Sequence, residues 1–158
     1  MTDASFEDGR EAPLNLGAED ADDLQVIATL TQDAVFPVTE MTWRPSERRF
    51  ALLLNRFRWE DKDAATRRGR AFERVQSVLV FGSVLSVASQ GINRSDKDMI
   101  LSLLSVEFEP AKDGAGQILM TLAGDGAIRL SVEAIDATLK DVTRPYVAPS
   151  GQAPQHPD

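Results

Sequence analysis

Apolar side chains recur at helical spacing near the start of the chain. Leu24, Ile27, Ala28 and Leu30 fall on one side of a helix over residues 20–33. Acidic residues crowd the first turn of this segment, where the positive end of the helix dipole favours carboxylates. The pattern therefore predicts an amphipathic helix that packs one apolar stripe against a core.

Most of the remaining apolar pattern has a period of two, which is typical of strands with one buried face. Residues 35–43 and 50–59 alternate in this way around a turn signal at 44–47, and we expect them to form an antiparallel hairpin. Residues 117–122 and 128–132 flank a Gly-Asp-Gly turn, which tight connections between strands favour. These two segments predict a second hairpin.

Two stretches allow more than one interpretation. Residues 75–81 and 84–89 are apolar runs separated by Gly82 and Ser83. They form either the two strands of a hairpin, which we favour, or one long strand that bends at the glycine. The charged connection over residues 60–71 is either a loop or a short helical turn, and its composition does not choose between them.

Two further segments predict a turn and a helix. The capping pattern at residues 95–98 indicates a single turn that feeds a strand beginning near Met99. Ile135, Leu139 and Val142 recur at i, i+4 and i+7, which predicts a helix that closes the domain.

Together these elements predict an α+β fold with an N-terminal helix, about seven antiparallel strands and a C-terminal helix. Strands that follow one another in sequence roll into a barrel or a sandwich, because closure removes open edges. The order of elements is similar to that of pleckstrin-homology-like barrels, an analogy that carries no function. We expect one domain over residues 13–143, between a disordered tail at 1–12 and a disordered Pro-rich tail at 144–158.

The composition excludes several kinds of chemistry. The 158 residues include no Cys and one His, at position 156. Disulfides, thiolate metal sites and histidine acid–base catalysis therefore have no residues to use. The motifs of nucleotide-binding loops and of serine hydrolases are missing as well. We predict no catalytic residue, no metal-binding residue and no cofactor.

The overall charge and the apolar runs bear on partners and location. The formal net charge is −8, so the molecule as a whole does not attract nucleic acid or anionic lipid. The N-terminus is acidic, unlike a signal peptide, and the densest apolar region is shorter than a bilayer span. The sequence predicts a cytoplasmic protein with no membrane contact and argues against nucleic acid as a partner.

The charge is unevenly distributed along the chain. Residues 43–74 hold ten basic and five acidic side chains, whereas residues 1–42 hold ten acidic and one basic. Arginine binds phosphate and carboxylate in a fork, so this segment predicts a surface for an anion or an acidic partner. The alternative is that the arginines pair with carboxylates of the same chain, such as the acidic helix at 19–23. The predicted binding residues are Arg48, Arg49, Arg56, Arg58 and Trp59, with Arg56 and Arg58 on a polar strand face.

Several blocks of the sequence resemble a known family. They are RRFAL at 48–52, LNRF at 54–57, WE at 59–60, FERV at 72–75, GI at 91–92, RSD at 94–96, LSLL at 101–104, FEP at 108–110 and GAIRL at 126–130. In this order they resemble the uncharacterised proteobacterial family called domain of unknown function 2948, over roughly residues 14–142. The resemblance implies a small bacterial cytosolic protein and brings no activity, cofactor or catalytic residue.

Three functional hypotheses follow. The leading one is a non-enzymatic binding or scaffold module that recognises an acidic partner through its basic surface. The second is an enzyme that uses a hard metal ion held by Glu60, Asp61, Asp63 or Asp96, since such ions prefer oxygen ligands. The third is a homo-oligomeric structural protein that buries the apolar strands over residues 75–87.

Overall fold

The computed structural model describes residues 13–147 and 153–154. Within these residues it contains the helices α1 (Ala21–Leu30) and α2 (Lys62–Arg68). The strands are β1 (Asn15–Ala18), β2 (Val35–Pro37), β3 (Met41–Arg44), β4 (Arg49–Phe57), β5 (Glu73–Phe81), β6 (Val84–Gln90), β7 (Ile100–Pro110), β8 (Gly116–Leu122), β9 (Ala127–Val132), β10 (Ala137–Asp141) and β11 (Tyr146–Val147). In the described part of the chain, neither helix has the length and apolar character needed to cross a membrane.

All of these strands belong to one antiparallel hydrogen-bonded sheet, nine of them in a single path. Its order is β1-β10-β5-β4-β2-β7-β8-β9-β6, while β3 pairs with β4 and β11 pairs with β5 beside it. We call β1 to β5 with β10 and β11 the first half-sheet, and β6 to β9 the second half-sheet. Strand β7 joins the two, because its first residues pair with β2 and its later residues with β8.

The α+β class is therefore confirmed, but its details differ from the prediction. Among the described residues the sheet has eleven strands instead of about seven. The described path ends at β1 and β6 instead of closing on itself, so the predicted barrel or sandwich of seven strands is not found. The pleckstrin-homology analogy stays a prediction.

The favoured hairpin over residues 75–89 is wrong, and the alternative of one long bent strand holds only in that the chain bends at Gly82, because β5 and β6 are separate strands that do not pair with each other. Strand β5 pairs with β4 and β10 in the first half-sheet, whereas β6 pairs with β9 in the second. The bend lies at Gly82, whose N–H donates to the carbonyl of Asp136 at 2.7 Å, and Glu133 donates to the carbonyl of Ser83 at 3.0 Å. Strands β5 and β6, paired with β10 and β9, thus form a long two-stranded ribbon that runs from one half-sheet into the other.

The other predicted turns are confirmed. Strands β3 and β4 form the first hairpin, with Met41 opposite Leu52 and Arg44 opposite Arg49. Its first arm is interrupted, since a 3-10 turn at Val38–Glu40 separates β2 from β3. Strands β8 and β9 form the second hairpin. The turn at residues 95–98 immediately precedes β7, as predicted.

The predicted N-terminal helix is present as α1, although β1 precedes it. Asp20 caps its start by accepting the N–H of Asp23 at 2.8 Å, and Leu24 and Ile27 are buried. The undecided connection over residues 60–71 is helical, because a 3-10 turn at Trp59–Asp61 runs into α2.

The predicted C-terminal helix is wrong. Residues 137–141 form β10, in which Ala137, Leu139 and Asp141 are buried and the residues between them are exposed. Ile135 and Leu139 are an even number of residues apart, so a strand also places them on one side. Val142, the third residue of the supposed helical stripe, is 49% exposed.

One hydrophobic core contains buried residues of both half-sheets and of α1. Its buried members include Phe36, Leu54 and Leu79 from the first half-sheet and Leu103 and Ile118 from the second. The predicted tail at residues 1–12 lies outside the described residues. The predicted tail at 144–158 is described only at 144–147 and 153–154, and there Tyr146–Val147 pairs with β5 as β11.

Candidate functional site

The alternation of side chains along β4 decides which of the predicted arginines meet solvent. Phe50, Leu52 and Leu54 face the core, and Arg56 and Arg58 continue the same row. Arg56 is 0% exposed and Arg58 is 5% exposed. The prediction that Arg56 and Arg58 lie on a polar face is therefore wrong. They stand at the end of the core-facing row and are not available at the surface.

The guanidinium of Arg56 is enclosed by two carboxylates and a hydroxyl. It donates to both oxygens of Glu60 at 2.8 Å, and its Nη2 donates to the two oxygens of Asp141 at 3.0 and 3.2 Å. Its Nε donates to Ser77 Oγ at 3.0 Å. The residues come from β4, β5, β10 and the turn after β4, so this contact joins three neighbouring strands at one end of the first half-sheet.

Asp141 also holds the start of β1. Its Oδ2 accepts the N–H of Leu14 at 2.9 Å, and its Oδ1 accepts the hydroxyl of Ser77 at 2.6 Å. Burial lowers the pKa of Arg56, but its hydrogen bonds and charge interactions with Glu60 and Asp141 outweigh that loss and raise the pKa above its ordinary value. Arg56 therefore stays charged near neutral pH.

A second ion-pair group lies beside the first. Arg58 donates to Glu73 at 2.7 Å and lies 3.6 Å from a carboxylate oxygen of Asp61. Arg70 approaches Asp61 in a fork, with two bonds of 3.1 Å. The alternative interpretation of internal pairing is thus right for these arginines, but their partners are Glu60, Asp61, Glu73 and Asp141 instead of the acidic helix at 19–23.

The same contacts bear on the metal hypothesis. Glu60 and Asp61 already accept hydrogen bonds from arginine. Asp63 and Asp96 are exposed and belong to different segments, α2 and the turn before β7. Among the described residues there is no group of three or more potential metal ligands.

The other predicted residues have separate environments. The indole Nε1 of Trp59 donates to the carbonyl of Gln32 at 3.0 Å, and its ring meets the ring of Phe57 edge-on at 4.6 Å between centroids. Arg48 is exposed and pairs with Glu133 at 2.7 Å. Arg49 is exposed and lies on the opposite side of β4 from Arg56. The five predicted residues therefore do not form one site.

Arg49 lies on the side of the first half-sheet that faces away from the core. This side carries other cations as well. We call this side the outer face. Cross-strand pairing places Ala51 opposite Val80 and Leu53 opposite Val78, which makes a half-exposed apolar strip along β4 and β5. The cations of the outer face are Arg44 on β3, Arg49 on β4, Arg74 on β5 and Lys140 on β10.

The outer face carries no carboxylate among the described strand residues. Its uncharged polar side chains are Asn15, Thr42, Asn55, Gln76, Thr138 and Tyr146. Arg44 has an exposed partner, Glu47, at 3.4 Å in the turn after β3, and Arg74 donates to Asn55. In the described part of the chain, neither Arg49 nor Lys140 has an ion-pair partner. Although the chain has a net charge of −8, the described strand residues of this sheet face carry only positive charge.

The chain matches a known protein family. A family model described as "Protein of unknown function (DUF2948)" matches residues 14–156. No curated protein and no solved structure matches the chain.

Proposed function

The chain belongs to the DUF2948 family of proteins of unknown function, and we propose that it is a non-enzymatic binding module whose outer face docks an acidic segment of a partner protein. The observation that carries the proposal is a set of four cations on that face of an acidic protein, with no carboxylate among the strand residues that the structure describes there. Arg49 is retained from the predicted binding residues. Arg44, Arg74 and Lys140 take the place of the buried Arg56 and Arg58.

The arrangement of the outer face indicates what kind of segment fits it. The apolar strip lies in the middle, with Arg44 and Arg49 at one end and Arg74 at the other. The position opposite Arg74 lies eight residue steps along β4 from Arg49, or about 26 Å at about 3.3 Å per step. A segment with an apolar centre and acidic residues at both ends would match the strip and the cations together.

The physical roles of the two parts differ. Cations on an open surface contribute modestly to affinity, but they steer an acidic partner and raise its association rate. The apolar strip supplies area from which water is removed on binding. The buried group around Arg56 supports this function indirectly, because it holds β4, β5 and β10 in the register that aligns the outer face.

A titration with a designed peptide tests the proposal. The probe is a dye-labelled peptide with a Leu-Val centre and Glu residues at both ends, and the comparison peptide has Gln in place of Glu. We expect binding of the Glu peptide alone, weakening several-fold between low and physiological salt. The variant with Arg49→Gln and Lys140→Gln should weaken binding about tenfold, which is about 1.4 kcal/mol.

The control variant carries Arg67→Gln and Lys112→Gln. These side chains are exposed on α2 and on the connection between β7 and β8, and the net charge changes by the same amount. It should bind the Glu peptide as the parent protein does. If both variants weakened binding equally, the effect would come from the total charge of the protein and not from the outer face. If the Glu and Gln peptides bound equally, the protein would not recognise the negative charge. Either result contradicts the proposal.

A further inference from the structure

A cleft lies where the hydrogen-bonded path leaves one edge of β3 uncovered. Within the described residues β3 pairs with β4 alone, and two residues of the connection between β6 and β7 line the same cleft as β3. The cleft has a volume of about 170 Å³. Its lining residues are Val38, Thr39, Met41, Trp43, Phe50, Arg94 and Lys97.

The inner part of the cleft is apolar. Phe50 is 1% exposed and Val38 is 6% exposed, so these two form its floor. Met41 and Trp43 lie on the core-facing side of β3 but are only partly buried, because the core ends at this strand. A dry cavity of about 150 Å³ can hold a benzene ring, so the cleft has room for one apolar group of ring size.

The rim of the cleft is cationic and is held in place by a braced turn. In residues 93–98, Ser95 donates its N–H to the side chain of Asn93 at 3.0 Å, and Asp98 donates its N–H to the side chain of Asp96 at 3.1 Å. Val38 then donates its N–H to the carbonyl of Met99 at 2.9 Å, which fixes this turn against the floor of the cleft.

The two cations of the turn are Arg94 and Lys97. Both are exposed, and neither makes an ion pair with a described residue. Asp96 and Asp98 on the same turn balance their charge. The turn as a whole therefore has no net attraction for a polyanion, and recognition must come from direct contact with the two cationic groups.

We infer that this cleft binds a small organic acid that carries one carboxylate on an apolar, ring-sized body. The body packs on Trp43 over the floor, and the carboxylate accepts hydrogen bonds from Arg94 and Lys97. Ligand sites commonly combine an apolar lining with a few polar groups that fix orientation, and charged donors make the stronger bonds to carboxylate. Because Trp43 lies on the side of β3 away from the outer face, this site is independent of the proposed docking surface.

The probe for the test is phenylacetate, observed through the indole N–H signals of the two tryptophans in NMR spectra of the ¹⁵N-labelled full chain. The variant Trp59→Phe assigns the signal of Trp43. We expect phenylacetate to shift the Trp43 signal in a saturable way and to leave the Trp59 signal in place. The neutral analogue phenylacetamide should bind about tenfold more weakly, and acetate, which lacks the ring, should also bind at least about tenfold more weakly.

Replacing the two cations of the rim distinguishes binding in the proposed site from adventitious binding elsewhere. The variant with Arg94→Gln and Lys97→Gln should weaken phenylacetate binding about tenfold or more. The control Lys112→Gln, which removes an exposed cation from the connection between β7 and β8, should change it less than about twofold. No shift of Trp43, equal binding of phenylacetamide, or unchanged binding by the rim variant would each overturn the proposal.

Discussion

Arg56 and Asp141 are 85 residues apart in sequence, yet the guanidinium of Arg56 lies 3.0 Å from the carboxylate of Asp141 in the core-facing layer of the first half-sheet. They stand on β4 and β10, and Ser77 on the intervening strand β5 bonds to both. The same guanidinium also donates to Glu60, so one cation binds two carboxylates. The remaining acceptor capacity of Asp141 is met by Ser77 and by the backbone of Leu14.

Removal of Arg56 should destabilise the protein strongly. Arg56→Met would leave Glu60 and Asp141 without their cation, and Asp141 is buried. Breaking a buried ion pair on one side typically costs 3–5 kcal/mol, so we expect a loss of about 4 kcal/mol in the free energy of unfolding. Urea denaturation followed by circular dichroism measures it.

The matched control for that variant is Arg48→Met. Arg48 also pairs with a distant carboxylate, Glu133, but both side chains are about half exposed. An exposed pair contributes at most about 1 kcal/mol, because water screens it. Similar losses in the two variants would show that burial of Arg56 does not matter.

Gly116 at the start of β8 should not tolerate a methyl group. A Cβ there would meet the backbone carbonyl of Glu109 and would lie 2.7 Å from the ring of Phe108. We expect Gly116→Ala to lower the free energy of unfolding by about 1–3 kcal/mol, as overpacking does. The melting temperature should fall accordingly.

Gly17→Ala is the comparison for this effect. Gly17 also lies in a strand, but the nearest atom to an added Cβ is the carbonyl oxygen of Ala137 at 3.9 Å, an ordinary contact. Because alanine has less conformational freedom than glycine in the unfolded chain, Gly17→Ala should be neutral or stabilising by up to about 1 kcal/mol. A larger loss for Gly17→Ala than for Gly116→Ala would contradict the packing argument.

Divalent metal ions should not stabilise the protein. Glu60 and Asp61 accept hydrogen bonds from Arg56 and Arg70, so a metal ion would have to displace an arginine to reach them. We expect Mg²⁺, Mn²⁺ or Ca²⁺ at millimolar concentration to move the melting temperature by less than about 1 °C. A rise that saturates with one of these ions and disappears in Asp61→Asn would restore the hypothesis of a metal-dependent enzyme.

Local pattern predicted the helix α1 and two hairpins, because their periodicity and turn residues are contained in short segments. The row of Phe50, Leu52 and Leu54 also leads directly to Arg56, so strand alternation alone indicates that this arginine faces the core. The prediction failed there because positive charge was taken as a sign of exposure.

The partners of Arg56 could not be found in the same way. Asp141 lies in a segment whose apolar spacing fits a helix as well as a strand, and the register of β10 on β5 depends on contacts far apart in sequence. The outer face could not be predicted for the same reason. Only the order and register of four strands show that Arg49 shares a face with Arg44, Arg74 and Lys140.

The protein should be a monomer at low ionic strength. The apolar strip of the outer face is the half-exposed region that would suit a second copy, whereas the core-facing residues of β5, such as Leu79 and Phe81, are already buried within the chain. A two-fold dimer through the outer face would place the cations of both copies near one another, and like charges that face each other oppose association. Sedimentation velocity should therefore give one species with the mass of one chain at low salt. A dimer at low salt that dissociates in Leu53→Glu would contradict this expectation and support the homo-oligomer hypothesis instead.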